Sequence, residues 1–317
     1  MQALRFIGGR LYLDEVPRPI AAGESLIRVT KSGICNTDIE IIRGYAGFAG
    51  TIGHEFVGVV EESRNTELVG KRVVGEINAG CGVCTLCRAG DPRHCPDRTV
   101  LGIKGRDGAH AEFLRLPEAN LVEVPDSVSD EQAVFAEPLA AAYGIAEQVN
   151  VLSDTRVAVI GDGKLGILCA LSLGLLSNRV TLIGRHASKL NIAERQGIES
   201  LLSADAAKMS SAFDVVVEAS GSESGFATAL DLVRPRGKIV LKSTFQGRPA
   251  WEAWRVVVDE ITIVGSRCGR FRPAVQLLAD GKIDVAPLIS DDLPLSRGVE
   301  AVAEAQAKGV MKVLLTP

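Results

Sequence analysis

The stretch Val157-Ala158-Val159-Ile160-Gly161-Asp162-Gly163-Lys164-Leu165-Gly166 restricts the fold of this chain more than any other. Four consecutive apolar residues suit a strand covered on both faces, as in a parallel sheet. A G-x-G-x-x-G turn follows at once, and the segment after it, to Leu176, reads as a helix. In that setting Gly161 allows a tight turn, Gly163 lets backbone approach a pyrophosphate, and Gly166 lets helix and strand pack closely. The helix N-terminus, with Lys164 and Leu165 in its first turn, offers N–H groups and a positive dipole end to phosphates. Strand-like stretches rich in valine, isoleucine and leucine at 180–183, 215–219, 238–241 and 261–264 alternate with helical segments. That alternation predicts a doubly wound parallel sheet with right-handed crossovers.

A dinucleotide-binding sheet of this kind usually ends its second strand in an acidic residue that holds the adenosine ribose hydroxyls. Here that place reads Ile183-Gly184-Arg185-His186. A carboxylate would repel a 2′-phosphate, whereas Arg185 can bind one through charge-assisted hydrogen bonds. Gly184 leaves room, and His186 and Lys189 lie nearby. The expected cofactor is NADP, with NAD as the alternative.

Residues 1 to about 125 have a different texture. Leu26-Ile27-Arg28-Val29-Thr30 alternates as a half-buried strand does. Residues 56–60 and 72–76 are rich in β-branched residues and bounded by glycine or charge. No long helical period precedes residue 130, so an irregular, mostly β domain is expected. Ser127 or Ser129 then caps a helical segment running from Ala133 to Asn150 and broken or bent at Pro138. Trp251 and Trp254 read as core residues of a later helix rather than as an interface.

Two groups of metal-binding residue types lie in this first part. Cys81, Cys84, Cys87 and Cys95 are spaced C-x2-C-x2-C-x7-C. Four thiolates so spaced close a tetrahedral zinc shell with no open position, which makes a structural site. An iron–sulfur cluster or a redox disulfide pair is the alternative. His94 and His110 are expected to be structural. The second group is Cys35-Asn36-Thr37-Asp38 with Gly53-His54-Glu55, to which Glu137 adds a distant carboxylate. A thiolate, an imidazole and a carboxylate hold zinc with one position left for chemistry.

Composition narrows the function classes. Apolar residues make up 46% and charged residues 23%, the net charge is −4, and no basic run exceeds two residues. That argues against nucleic acid and anionic membrane as partners. No signal sequence opens the chain, and the longest apolar run is too short to span a bilayer. Four of the seven cysteines fall within fifteen residues, as in reducing-compartment metal sites. A cytoplasmic protein is expected.

The Cys-x-Thr-Asp segment, the Gly-His-Glu segment, the four-cysteine lobe, the Glu-Pro at Glu137-Pro138 and the glycine loop occur here in one order. In that order the chain resembles the zinc-containing medium-chain dehydrogenase/reductase family of alcohol, polyol and sugar dehydrogenases. The resemblance covers nearly the whole chain. It implies an α/β protein with a GroES-like, mostly β catalytic domain (1–138 and 268–317, structural zinc lobe 80–96) and a Rossmann domain (139–267). It implies Cys35, His54 and Glu137 as catalytic zinc ligands, Glu55 as a neighbouring glutamate able to approach the metal, and Asp38 as the carboxylate that orients the histidine. Thr37 would take the substrate proton, and Lys312 would lie near the cofactor phosphates. Many relatives carry a histidine at the outer end of the proton relay; Glu40 stands there instead, and the loop between Ile42 and Thr51 is short. The expected reaction is hydride transfer between NADP(H) and an alcohol, polyol or sugar, in a homodimer or homotetramer. A zinc-independent quinone or enone reductase, or a non-catalytic cofactor-binding protein, is the alternative.

Overall fold

A computed structural model describes residues 1–244 and 252–317. The chain divides into two compact units, Met1–Glu137 with Phe271–Pro317, and Pro138–Arg270.

The first unit is built on a seven-stranded sheet. Its order runs Leu121–Glu123, Arg72–Gly75, Glu55–Glu62, Ser25–Gly33, Lys312–Thr316, Ile289–Pro294, and Phe113–Leu116 also pairs with Ser25–Gly33. The Ser25–Gly33 strand is therefore central. Alternation within Leu26–Thr30 holds over most of its length: Arg28 is exposed and Thr30 half-buried, alternating with buried Ile27 and Val29, while Leu26 is buried. Three partner strands pair with it along its edges. A smaller sheet of Arg10–Glu15, Gln2–Ile7 and Gly50–Thr51 packs Leu4, Phe6 and Ile52 with Ile34, Ile41, Val313 and Leu315 in one apolar core.

The second unit carries a six-stranded sheet, Glu199–Leu202, Val180–Gly184, Val157–Ile160, Phe213–Glu218, Val233–Leu241 and Thr262–Gly265 in spatial order. All its pairings are parallel. The order has the first strand central and the chain winding outward to both sides, as in dinucleotide-binding sheets. Glu199–Leu202 was not anticipated: as a half-exposed edge strand it lacks the apolar run that marks its neighbours. The helix after the glycine loop spans Lys164–Gly174, two residues shorter than expected.

Other expectations are corrected by local chemistry. Ser129 caps a helix of only four residues, Asp130–Ala133, by accepting from Gln132 N while Gln132 Oε1 accepts from Ser129 N. A second helix, Ala136–Tyr143, continues through Pro138 unbroken. Pro138 sits in its first turn, where a backbone N–H has no helical partner to lose. Trp254 is 60% exposed and not a core residue, and Trp251 lies outside the described residues. Among the described residues no helix is long and apolar enough to cross a membrane.

Candidate active site

Strand register gathers the first group of residues. Gly33 pairs with Glu55, and Leu314 pairs with Gly33, so the ends of three strands meet beside Cys35. Cys35 is the N-cap of the Asn36–Ile42 helix, and Asp38 occupies its first turn. The Asp38 carboxylate is fully buried and accepts from Cys35 N (2.8 Å) and Gly53 N (3.1 Å). It thereby ties the helix start to the loop that carries His54. Asp38 Oδ1 lies 3.4 Å from His54 Nδ1, and its Oδ2 lies 3.5 Å from His110 Nε2. Burial opposes the charge on Asp38, but the two imidazoles hold its carboxyl well below the usual range. His110 completes the support, with Nδ1 2.9 Å from Ser32 Oγ. Its part is structural, as expected from sequence.

The donor atoms of Cys35, His54 and Glu55 lie within 4.8 Å of one another. Burial works against a charged His54, yet the Asp38 carboxylate and Cys35 thiolate raise its pKa well above the ordinary histidine value. Glu55 Oε1 is buried with no hydrogen-bond partner. Anionic groups crowded round an unsatisfied buried oxygen form a setting that a dication fits. Glu137 stands outside this cluster of three, although the charges of His54, Glu55 and Lys312 reach it. Burial, reinforced by Glu55 and Glu76, pushes its carboxyl up to about 7. Thr37 Oγ1 is 3.8 Å from Cys35 Sγ. Glu40 is 3.0 Å from Arg43 Nη1 on the partly exposed side of the helix and is not drawn into the cluster.

Lys312 departs from expectation. It is fully buried, and its ammonium contacts Glu55 Oε2 and lies 3.4 Å from Ile34 O. A cation sealed against a carboxylate has no face left for a cofactor phosphate, so Lys312 is a partner of Glu55 instead. The short loop after Ile42 lines, through Ala46–Ala49, a cavity of about 900 Å³ bordered by Arg5, Arg18 and Arg106. None of Cys35, Thr37, His54 or Glu55 lines that cavity.

The four-cysteine lobe closes on itself. Backbone N–H groups of Cys81, Cys84 and Cys87 donate to Cys95 Sγ, Cys81 Sγ and Cys84 Sγ at 3.4, 3.4 and 3.5 Å. All four sulfurs lie within 4.8 Å of one another. N–H groups of Val83 and Cys84 pull Cys81 down to about 7, while burial pushes Cys87 up to about 12. Four thiols so close cannot all ionise without a cation, and four sulfurs fit a structural zinc. His94 sits outside, with Nδ1 3.0 Å from Asp91 Oδ2.

In the second unit Gly163 is the N-cap of the Lys164–Gly174 helix, and Gly161 N donates to Ile183 O (2.8 Å). A Cβ on Gly166 would fall 1.9 Å from Gly161 O, so only glycine permits this approach of helix to loop. The sequence reading missed Asp162. Its Oδ2 accepts from Arg185 N (2.7 Å), His186 N (2.7 Å) and His186 Nδ1 (2.9 Å). Burial opposes ionisation, but these His186 and Arg185 donors keep the carboxyl below its usual range. A Cβ on Gly184 would lie 2.5 Å from Asp162 Cβ. The room beside Gly184 thus holds Asp162 and is not a vacancy for phosphate. The only signal in sequence was an acidic residue inside the glycine loop, which local reading cannot connect to residue 186. Arg185 is exposed and has no ion-pair partner among the described residues.

Residues 21–126 match the family model of the alcohol dehydrogenase GroES-like domain, and residues 161–280 that of the zinc-binding dehydrogenase. An L-threonine 3-dehydrogenase from Chelativorans sp. (strain BNC1) is 35% identical over 96% of this chain and 95% of its own length. A protein of Sinorhizobium meliloti 1021 described as a zinc-binding dehydrogenase, solved with NADP, superposes with a TM-score of 0.91 at 27% identity, over 100% of this chain and 99% of that one. An alcohol dehydrogenase of Escherichia coli CFT073, solved with NADH, gives 0.89 and 27% over the same shares. On these likenesses the chain belongs to the zinc-containing medium-chain dehydrogenase/reductase family, oxidoreductases of alcohol dehydrogenase type that act on CH–OH groups.

Proposed function

We propose that this protein transfers hydride between NADP(H), in preference to NAD(H), and an alcohol, polyol or sugar and its carbonyl. The observation that carries the reading is the convergence of Cys35, His54 and Glu55 donor atoms within 4.8 Å, with the Thr37 hydroxyl alongside. Cys35 and His54 hold the catalytic zinc with a glutamate, for which Glu55 stands in position and Glu137 lies close by. A zinc ion so held supplies Lewis acidity to the substrate oxygen, and a bound nicotinamide supplies the hydride acceptor or donor. The chain's own residues do the rest. Asp38 fixes the imidazole of His54 in place. Thr37 accepts the hydroxyl proton of the substrate. Glu40, three residues further along the same helix toward its exposed side, is the outer acceptor of that proton. Cys81, Cys84, Cys87 and Cys95 hold a second, structural zinc.

Gly161, Gly163 and Gly166 present the Lys164–Leu165 end of the helix to the pyrophosphate. Arg185 and Lys189 place positive charge at the end of the second strand, next to His186, which supports NADP. The exposed Trp254, Val257 and Val258 lie beside the edge strand Thr262–Gly265, and support pairing of two or more copies along that edge. Cysteines gathered as metal ligands, at Cys35 and in the lobe, support a cytoplasmic setting.

The test is a turnover screen over alcohols, polyols, sugars and aldehydes with NADP and with NAD, on protein whose zinc has been measured. Turnover with a CH–OH substrate and a higher kcat/KM for NADP is expected. Turnover unaffected by removal of metal would refute the zinc-dependent reading, and a clear preference for NAD would refute the cofactor assignment.

A further inference from the structure

The corner after the second strand of the parallel sheet is built as an anion site, and the chain fills it with its own carboxylate. Three donors, Arg185 N, His186 N and His186 Nδ1, converge on Asp162 Oδ2 at 2.7, 2.7 and 2.9 Å. Adjacent backbone N–H groups aimed at one point make a site that takes carboxylate or phosphate oxygens. Asp162 Oδ1 has no hydrogen-bond partner among the described residues and stays available as an acceptor.

Gly184 explains why the carboxylate comes from the loop. Any side chain at 184 would begin 2.5 Å from Asp162 Cβ and 2.8 Å from Asp162 Oδ2. An acidic residue at the strand end and an aspartate at 162 cannot coexist in this geometry. The carboxylate at this corner is thus supplied by the glycine loop and not by the strand end, at the place proposed above for the adenosine ribose.

We propose that Asp162 is the residue that limits discrimination between the two dinucleotides. Its carboxylate occupies the donors a 2′-phosphate would use and offers Oδ1 to an unphosphorylated ribose. Arg185 and Lys189 pull the other way. The inference rests on the dinucleotide site proposed above, and it concerns the ratio of affinities rather than their absolute size.

The experiment uses the full-length, zinc-loaded protein and titrates NADP and NAD calorimetrically into the parent, Asp162→Asn and Asp162→Ala. Adenosine 2′,5′-bisphosphate and adenosine 5′-monophosphate serve as probes of the corner alone. Asp162→Asn keeps an acceptor for the backbone donors and removes only the charge, so it reports even if Asp162→Ala does not fold. Removing one negative charge next to a 2′-phosphate should raise the NADP-to-NAD affinity ratio by roughly tenfold or more. The bisphosphate-to-monophosphate ratio should rise in parallel. A ratio unchanged while both affinities fall together would mean that Asp162 is only a structural anchor, and would overturn the proposal, as would a falling ratio. The parent's own ratio tests the NADP preference separately, so failure of one reading is not mistaken for failure of the other.

Discussion

Replacing Lys312 with methionine should destabilise the metal-free protein far more than its distance from the surface charges suggests. Lys312 and Glu55 are 0% and 1% exposed, and they are each other's charge partner. Methionine has similar length and no charge, so packing is largely kept. What changes is that the Glu55 carboxylate stays buried beside Glu137 and loses its ammonium partner, with only the His54 imidazole left near it. Breaking a buried pair by removing one partner costs about 3–5 kcal/mol, whereas an exposed pair such as Arg43 with Glu40 is worth about 0–1 kcal/mol. For a unit of this size each kcal/mol moves the melting temperature by about 2–4 °C, so a fall of roughly 6–20 °C is expected. The assay is thermal unfolding of chelator-treated protein, followed by circular dichroism, for the parent, Lys312→Met and the double variant Lys312→Met/Glu55→Leu. The double variant should recover most of the loss, because it leaves no unpaired charge behind. Zinc should narrow the gap between parent and single variant, since a dication beside Glu55 replaces the lost ammonium. A single variant within about 1 kcal/mol of the parent, or a double variant no better than the single, would refute the idea that charge pairing holds these strand ends together.

Three further outcomes are expected. Cys35→Ser should lower bound zinc from about two equivalents to about one, with far-ultraviolet circular dichroism unchanged, because the lobe keeps its own four thiolates. Thr37→Val should retain metal and cut turnover by about 10²–10⁴-fold in steady-state assays, the range for losing a positioned proton acceptor. Asp214→Asn should flatten the acid limb of the stability curve. Asp214 accepts from Arg156 N and Nε and from Arg234 Nε, and these arginines hold its carboxyl well below the usual range. A depressed folded-state pKa contributes stability that is complete above the unfolded value near 4 and is lost as pH falls toward the folded value. Parent and variant urea midpoints should therefore differ most above about pH 4 and draw together only as pH falls well below that, toward the folded value.

The second unit was readable because its signals are local. Val157–Ile160 is an unbroken apolar run that the sheet buries on both faces, and Gly166 is a spacing requirement visible within one turn. The first unit was readable only in outline. Alternation in Leu26–Thr30 pointed to one wet side, which Arg28 and Thr30 keep, but it gave no sign that residues 55–62, 113–116 and 312–316 pair with this strand. Strands drawn from three distant parts of a chain leave no mark on the periodicity of the strand they pair with. Trp254 failed for the opposite reason: helical spacing signals an apolar face but not whether that face has a partner within the chain.

The site shows the same division, and charge explains it. Cys35, His54 and the four lobe cysteines were legible because metal-ligand chemistry restricts residue type and spacing at once. Lys312 and Asp162 were not, since each is defined by a partner elsewhere in the chain: Glu55, 257 residues away, and His186, 24 residues away. For Lys312 local reading placed the charge against a phosphate, and the fold places it against a carboxylate of the same chain; Asp162 drew no reading, and the fold aims it at the His186 ring and backbone. A buried ionised side chain must find its counter-charge wherever the topology brings one. The counter-charge is thus a property of strand register, Gly33 opposite Glu55 and Ile160 opposite Ile183, before it is a property of sequence. It follows that a basic residue near a predicted cofactor site is weak evidence for phosphate binding until its burial is known. By that criterion the exposed Arg185 qualifies and the sealed Lys312 does not.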